Sequence, residues 1–383
     1  MPTDTRTLCL AAATAAAAAI AVSTLWRKRP TFETEGAPRK SLVRACIPSD
    51  LRTWRRPGED EHADNEIWAN LHSLFAQHGY VLWSHKLFFA LVPPPGQEAS
   101  CNGFGYATSF RDVETFYDYT KWEYNNAISR AARSRTGHDV VVRVLVVGDQ
   151  GRRHLNILRK IARGSQSLFS NNHTLPMLDE LAFNDIIFGI FPKSGIAMNF
   201  AYGHWATNSV GDILDMIMQA LEGLTYLHSM NIAHRDVFKS NFMVEWMPES
   251  LCSGAISPSR PQVYMIDFEC AVEFSADSLP DERRCIGIPL GDTMEVDEYL
   301  RPVPPEVASG MPYDPFKLDV WQLGTDLADF KSTIQPIDEA LSNMAKPDVS
   351  ARPSAAETLQ TLCRVLEDTP PNALLIKPLL QEC

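Results

Sequence analysis

Residues 234–244 read HRDVFKSNFMV. Asp236 follows His234 by two places, and Asn241 follows Asp236 by five. A second carboxylate, Asp267, stands in the later run QVYMIDFE, with Glu269 two places beyond it. Carboxylate and amide oxygens are the donors that a hard cation such as magnesium takes. They also suit phosphoryl transfer to a hydroxyl, which asks a protein for positioning and charge rather than covalent chemistry. The competing reading is an ordinary polar turn after a helix. The tripeptide alone does not separate the two; its spacing to Asn241 and a strand-borne Asp267 favour the first.

Such groups work together only if rigid elements hold them. Residues 209–230 carry apolar side chains at 213, 214, 217, 221, 224 and 227, a helical stripe. Ser209 with Asp212 gives that helix a capping-box start. DVVVRVLVV at 139–147 predicts a buried strand. RRHLNILRKIA follows as a helix, and DIIFGIF at 185–191 and QVYMIDF at 262–268 as strands. Upstream, IWANLHSLFAQHG reads as a helix stopped by Gly79, and YVLWSHKLFFALVPPPG as a short strand or hairpin. DPFKLDVWQLGTDLADF and SAAETLQTLCRVLE read as later helices. Strands in the first half and helices in the second predict an α+β fold with two lobes.

The 383 residues suit one large two-lobed domain or two ordinary ones. A net charge of −12 argues against a general nucleic-acid binder. Eight cysteines without a C-x-x-C pair give no zinc or redox signature and read as reduced thiols. Residues 8–26 are uncharged and alanine-rich, about long enough to cross a bilayer, and RKR follows at 27–29. That polarity predicts a signal anchor with the main domain in the cytosol. A mitochondrial outer-membrane anchor and a cleaved signal peptide are the alternatives. The expected organisation is an anchor or targeting segment at 1–29, a polar linker at 30–64, an extension and small lobe at 65–200, a large lobe at 201–370, and a tail at 371–383.

From about residue 139 to 366 the chain resembles a eukaryotic protein kinase domain. It is similar to a divergent fungal kinase-like group in which DVVVRVL, ILRKI, LEGLTYLH, IAHRDV and IDF recur in this order. The resemblance implies a small β-rich lobe, a large helical lobe, ATP and Mg2+ as cofactors, and a protein substrate. It implies that Asp236 orients the substrate hydroxyl and takes its proton, while Asn241 and Asp267 hold magnesium. His234 would support the loop, and Arg235 would pair with a phosphate on the activation segment, where Thr293 and Tyr299 are the candidate sites. PPE at 304–306 stands where such kinases carry A-P-E, and the resemblance pairs Glu306 with Arg352. Asp319 of DVWQLG would tie down the catalytic loop.

The small lobe departs from the family pattern. The strand lysine is Arg143, and the helix glutamate is His154, expected on the solvated face. Arg143 would meet phosphate as a fork. No glycine-rich loop stands at the right distance; KWEYNNAIS lies there, and NGFGYA at 102–107 is too far upstream. The glycine of D-F-G is Glu269, read as a further metal ligand or as an anchor behind the ligands. Phe238 takes the usual place of the catalytic-loop lysine, which leaves Lys239 one residue late to reach the transferred phosphate. Three functions stay open: a protein Ser/Thr kinase with a divergent nucleotide lobe, a pseudokinase scaffold, and a small-molecule phosphotransferase, whose H-x-D-x-x-x-x-N and I-D-F/W-E patterns this chain also resembles.

Overall fold

Val140, Val141, Val142, Val144, Val146 and Val147 make residues 139–147 stiff and β-prone, and they form the central strand of the small lobe. The computed structural model describes residues 43–56, 61–87, 90–94, 122–123, 126–202, 209–246, 260–291 and 293–380. The chain divides into one unit at Met1–Arg44 and another at Ala45–Cys383, and everything below lies in the second.

The small lobe starts with helices α1 (Leu51–Arg55) and α2 (Glu61–Gln77). Then come β1 (Tyr80–Leu82), β2 (Ser84–Leu87), β3 (Ala90–Val92), β4 (Trp122–Glu123), β5 (Ser129–Ser134), β6 (Asp139–Val147), α3 (Arg152–Ile161), β7 (Asp179–Phe183) and β8 (Ile186–Pro192). Five strands form one antiparallel sheet in the order β1-β5-β6-β8-β7. The chain does not turn tightly from β1 to β5. It passes through a separate three-stranded sheet, β2-β3-β4, so an insertion occupies the connection where a glycine-rich loop was sought. The NGFGYA motif lies outside the described residues.

The large lobe follows with β9 (Ile196–Ala197), α4 (Val210–Ser229), β10 (Ile232–Ala233), β11 (Phe242–Glu245), β12 (Gln262–Met265), β13 (Val272–Glu273), α5 (Pro315–Asp326), α6 (Gln335–Met344) and α7 (Ala355–Glu367). The stripe on α4 is its buried face: Ile213, Leu214, Ile217, Leu221, Leu224 and Leu227 are all at most 1% exposed. Burying each contributes about 2 kcal/mol. The Ser209 side chain accepts the Asp212 N–H at 3.2 Å and starts the helix. Gly223 lets α4 lie against the sheet, since a Cβ there would meet Met265 Cε at 2.9 Å. Strands β9, β11 and β12 form one small sheet and β10 pairs with β13, so the loops after β10 and β12 emerge side by side.

Two boundaries differ from the sequence reading. Residues 46–56 are not all polar linker, because Leu51 and Trp54 are buried and α1 packs on the small lobe. Nor are residues 371–380 a loose tail: Leu379 and Leu380 pair with Lys331 and Phe330, and the Val210 N–H donates to Ile376 O at 2.9 Å. No helix among the described residues is long and apolar enough to cross a membrane; residues 8–26 lie outside them.

Candidate active site

The loop between β10 and β11 hangs on α5. Asp319, fully buried, accepts the His234 N–H at 2.9 Å, the Arg235 N–H at 2.6 Å and the His228 Nε2–H at 2.9 Å. Those bonds hold Arg235 in a left-handed conformation, φ +66°, which a β-carbon disfavours. Gln322, also buried, accepts the Val237 N–H at 3.0 Å and donates to Arg235 O at 3.0 Å. Nothing in its sequence context marked Gln322 for this role. His234 donates to Ile266 O at 2.9 Å, which ties this loop to the one carrying Asp267.

Asn241 donates both N–H groups to Asp236, at 2.8 Å to the backbone oxygen and 2.6 Å to Oδ2. The amide oxygen is thus the atom of Asn241 not committed to the loop. The other oxygen of Asp236, Oδ1, is buried without a hydrogen-bond donor, and its ion-pair partner is Arg301 Nε at 3.6 Å. Burial raises the Asp236 pKa above the usual carboxylate value, with His234 and Arg301 opposing and Asp267 adding to it.

Asp267 also takes a left-handed backbone, φ +65°, and its Oδ1 accepts from Arg143 at 2.9 Å. The same Arg143 nitrogen reaches Glu269 Oε1 at 2.8 Å, and Glu269 Oε2 pairs with Arg55 of α1 at 2.5 Å. Burial opposes the charge on Glu269, but Arg143 and then Arg55 overcome it and hold its pKa at about 2. Beside them His154 is buried, not solvated. Desolvation holds its pKa at about 4, so it is neutral. The acidic partner of the strand cation has therefore moved from helix α3 to the residue after Phe268.

Several expectations need correction. Lys239 does not face the cleft. It is 5% exposed, donates to Tyr202 Oη and Asp329 Oδ2 at 2.6 Å each, and lies over the Tyr202 ring. One residue of shift carries its side chain into the large lobe. Arg301 supplies the cation near Asp236, stacked 4.6 Å over the Phe238 ring and donating to Ser240 Oγ at 2.6 Å. Both oxygens of Glu269 belong to guanidinium groups, so it is an anchor rather than a metal ligand. Arg143 directs its Nη2 to the two carboxylates rather than to phosphate. Arg235 donates to Cys270 O, Ile288 O and Tyr313 Oη, which fills the group meant for a phosphate. Thr293 Oγ1 instead accepts from Arg55, and Tyr299 Oη accepts from Gln322 at 3.2 Å. Glu306 and Arg352 pair at 2.8 Å, with Arg352 1% exposed.

Between the lobes lies a cavity of about 120 Å³, lined by Val141, Phe191, Met243 and Met265 together with Arg143 and Asp267. Among the described residues no group of three or more His, Cys, Asp or Glu side chains could hold a metal. The hard oxygen donors of Asp267 and Asn241 suit magnesium, which keeps positions for phosphate and water.

The description "protein kinase domain" belongs to the family model that matches residues 199–346. Over residues 199–346 the chain is similar to protein kinase domains. A lobe built on an antiparallel sheet and a mainly helical lobe fit the two-lobed kinase fold. The probable serine/threonine-protein kinase KCC4 of Saccharomyces cerevisiae is 25% identical over 230 residues, 57% of this chain and 19% of that protein. The probable serine/threonine-protein kinase mkcD of Dictyostelium discoideum is 29% identical over 106 residues, 28% of this chain and 12% of that protein. The serine/threonine-protein kinase ppk8 of Schizosaccharomyces pombe is 34% identical over 106 residues, 28% of this chain and 17% of that protein. The chain thus spans under a fifth of each of these relatives.

Proposed function

We propose that this chain transfers a phosphoryl group from magnesium ATP to serine or threonine hydroxyls of proteins, with a nucleotide lobe rebuilt around arginine. The carrying observation is Asp236, whose Oδ2 is fixed by Asn241 while its buried Oδ1 lacks a hydrogen-bond donor. That oxygen orients the substrate hydroxyl and accepts its proton, and its raised pKa makes it a better base than an ordinary carboxylate. Asn241 and Asp267 would hold the metal, through the free amide oxygen and the carboxylate. Arg301 takes the charge-balancing place that Lys239 does not fill. When bound, magnesium ATP supplies the phosphoryl group and neutralises charge developing on it.

A pseudokinase scaffold is the second reading, favoured by the Arg143 contact to Asp267 and by the narrow cleft. The cavity of about 120 Å³ is below the roughly 300–1,000 Å³ of ordinary ligand pockets. Thermal shift with magnesium ATP separates the two. Nucleotide at about 100 times its dissociation constant adds about 2.7 kcal/mol of stability. A shift, together with labelled phosphate on protein that Asp236→Asn abolishes, supports transfer. No shift at millimolar nucleotide supports the scaffold, and label only on small amines or alcohols supports a small-molecule phosphotransferase.

Residues 8–26 serve, in this reading, as a single anchor that leaves the kinase domain facing the cytosol, on the mitochondrial outer membrane or another membrane. Alkaline carbonate extraction of the full chain tests it: release into the soluble fraction sinks the anchor.

A further inference from the structure

Helix α1 comes from a stretch with linker composition, yet it touches three parts of the site. The Leu51 N–H donates to Gln150 Oε1 at 2.8 Å, in the turn that enters α3. The Leu51 side chain packs over Gly151, where an added Cβ would come within 2.9 Å of Leu51 Cδ1. Trp54 is 0% exposed and meets the Trp68 ring of α2 edge-on at 5.8 Å. These anchors fix the orientation of α1 and aim its two arginines at the activation segment.

Arg55 gives one terminal nitrogen to Glu269 Oε2 at 2.5 Å and the other to the Thr293 hydroxyl. Arg52 pairs with Glu295 at 2.7 Å and Glu298 at 3.4 Å. The two contacts differ in weight. Arg52 and its partners are 40–55% exposed, and solvent screens such pairs. Arg55 and Glu269 are 19% and 11% exposed, where charge pairing is stronger and strictly placed.

We propose that Arg55 is a positioning residue: by bridging Glu269 and Thr293, α1 holds the activation segment in register with the Asp267 loop without a phosphate. Only its consequence for turnover rests on the proposed transfer reaction. The ordering itself is independent of catalysis, and so is its test.

Hydrogen–deuterium exchange on the full chain reads it. Arg55→Ala is expected to speed exchange of residues 291–299 about tenfold or more, leaving α4 and α7 unchanged. Arg55→Lys keeps a charge for Glu269 but cannot fork to Thr293, so it gives an intermediate effect. Arg52→Ala changes the same amides less than Arg55→Ala. Unchanged exchange at 291–299 in a folded Arg55→Ala protein overturns the proposal. If that variant does not fold, Thr293→Val removes only the hydroxyl. Faster exchange in residues 291–299 then supports the bridge, and unchanged exchange there overturns it.

Discussion

His154 carries no charge because desolvation outweighs the pull of Glu269 and Asp267. Its pKa of about 4 lies below the ordinary 6.5, so between those values the unfolded chain binds a proton that the folded chain does not. Stability is therefore complete above pH 6.5 and falls as the pH drops toward 4, by up to about 3 kcal/mol. Glu269 acts in a lower window: its pairing stabilises above pH 4.5 and is lost as the pH falls toward 2. His154→Leu should flatten the decline between pH 6.5 and 4.5 in urea unfolding, and an unaltered slope would refute that assignment. Lys239 and Arg301 make a second contrast. Lys239→Met breaks a buried pair with Asp329 and should cost about 3 kcal/mol of unfolding free energy in urea titration while leaving the magnesium ATP shift intact. Arg301→Ala should leave stability within about 0.5 kcal/mol and, if Asp236 is the base of the proposed transfer, cut single-turnover transfer by about 100-fold, because Arg301 is part-exposed and pairs with Asp236 Oδ1 at 3.6 Å.

At the scale of elements, α5 is the frame of the site. Three N–H groups of the loop and of α4 converge on the carboxylate of Asp319, so its charge and both oxygens are used. Asp319→Asn keeps the shape but loses the charge and turns one acceptor into a donor. It should cost about 2–3 kcal/mol in stability. It should also lower transfer by about 100-fold through misplacement of Asp236, measured by single-turnover kinetics beside chemical denaturation. Loss of stability with full transfer would show that α5 supports the lobe without positioning the loop. Long, strongly patterned elements were legible: β6 and α4 follow from the valine run and the apolar stripe, and α7 from the run SAAETLQTLCRVLE, which the structure starts with a Ser354–Glu357 capping box. Helix α1 was not. Five residues are too few to show a period, and Arg52 meets Glu295 across 243 positions of chain.

For the molecule as a whole, the boundary between Met1–Arg44 and Ala45–Cys383 predicts different outcomes for two truncations. Removing residues 1–44 gives the reference midpoint. Removing residues 1–56 takes away buried Leu51 and Trp54 together with Arg55, and should lower the midpoint by about 10 °C. Equal midpoints for the two truncations, read by scanning calorimetry, would mean that α1 is dispensable to the fold.

The sequence by itself determined the α+β class and the order of the long strands and helices, because local periodicity carries that information, while the set Asp236, Asn241, Asp267, Asp319, Glu306 and Arg352 was legible through the resemblance of its motifs to protein kinases. Which cation serves which acid was decided only by the tertiary structure. Arg143, Glu269, Arg55 and Arg301 meet across large sequence separations in a partly desolvated cleft. Charge pairing there depends on distance and burial, and neither is written in the order of residues along the chain.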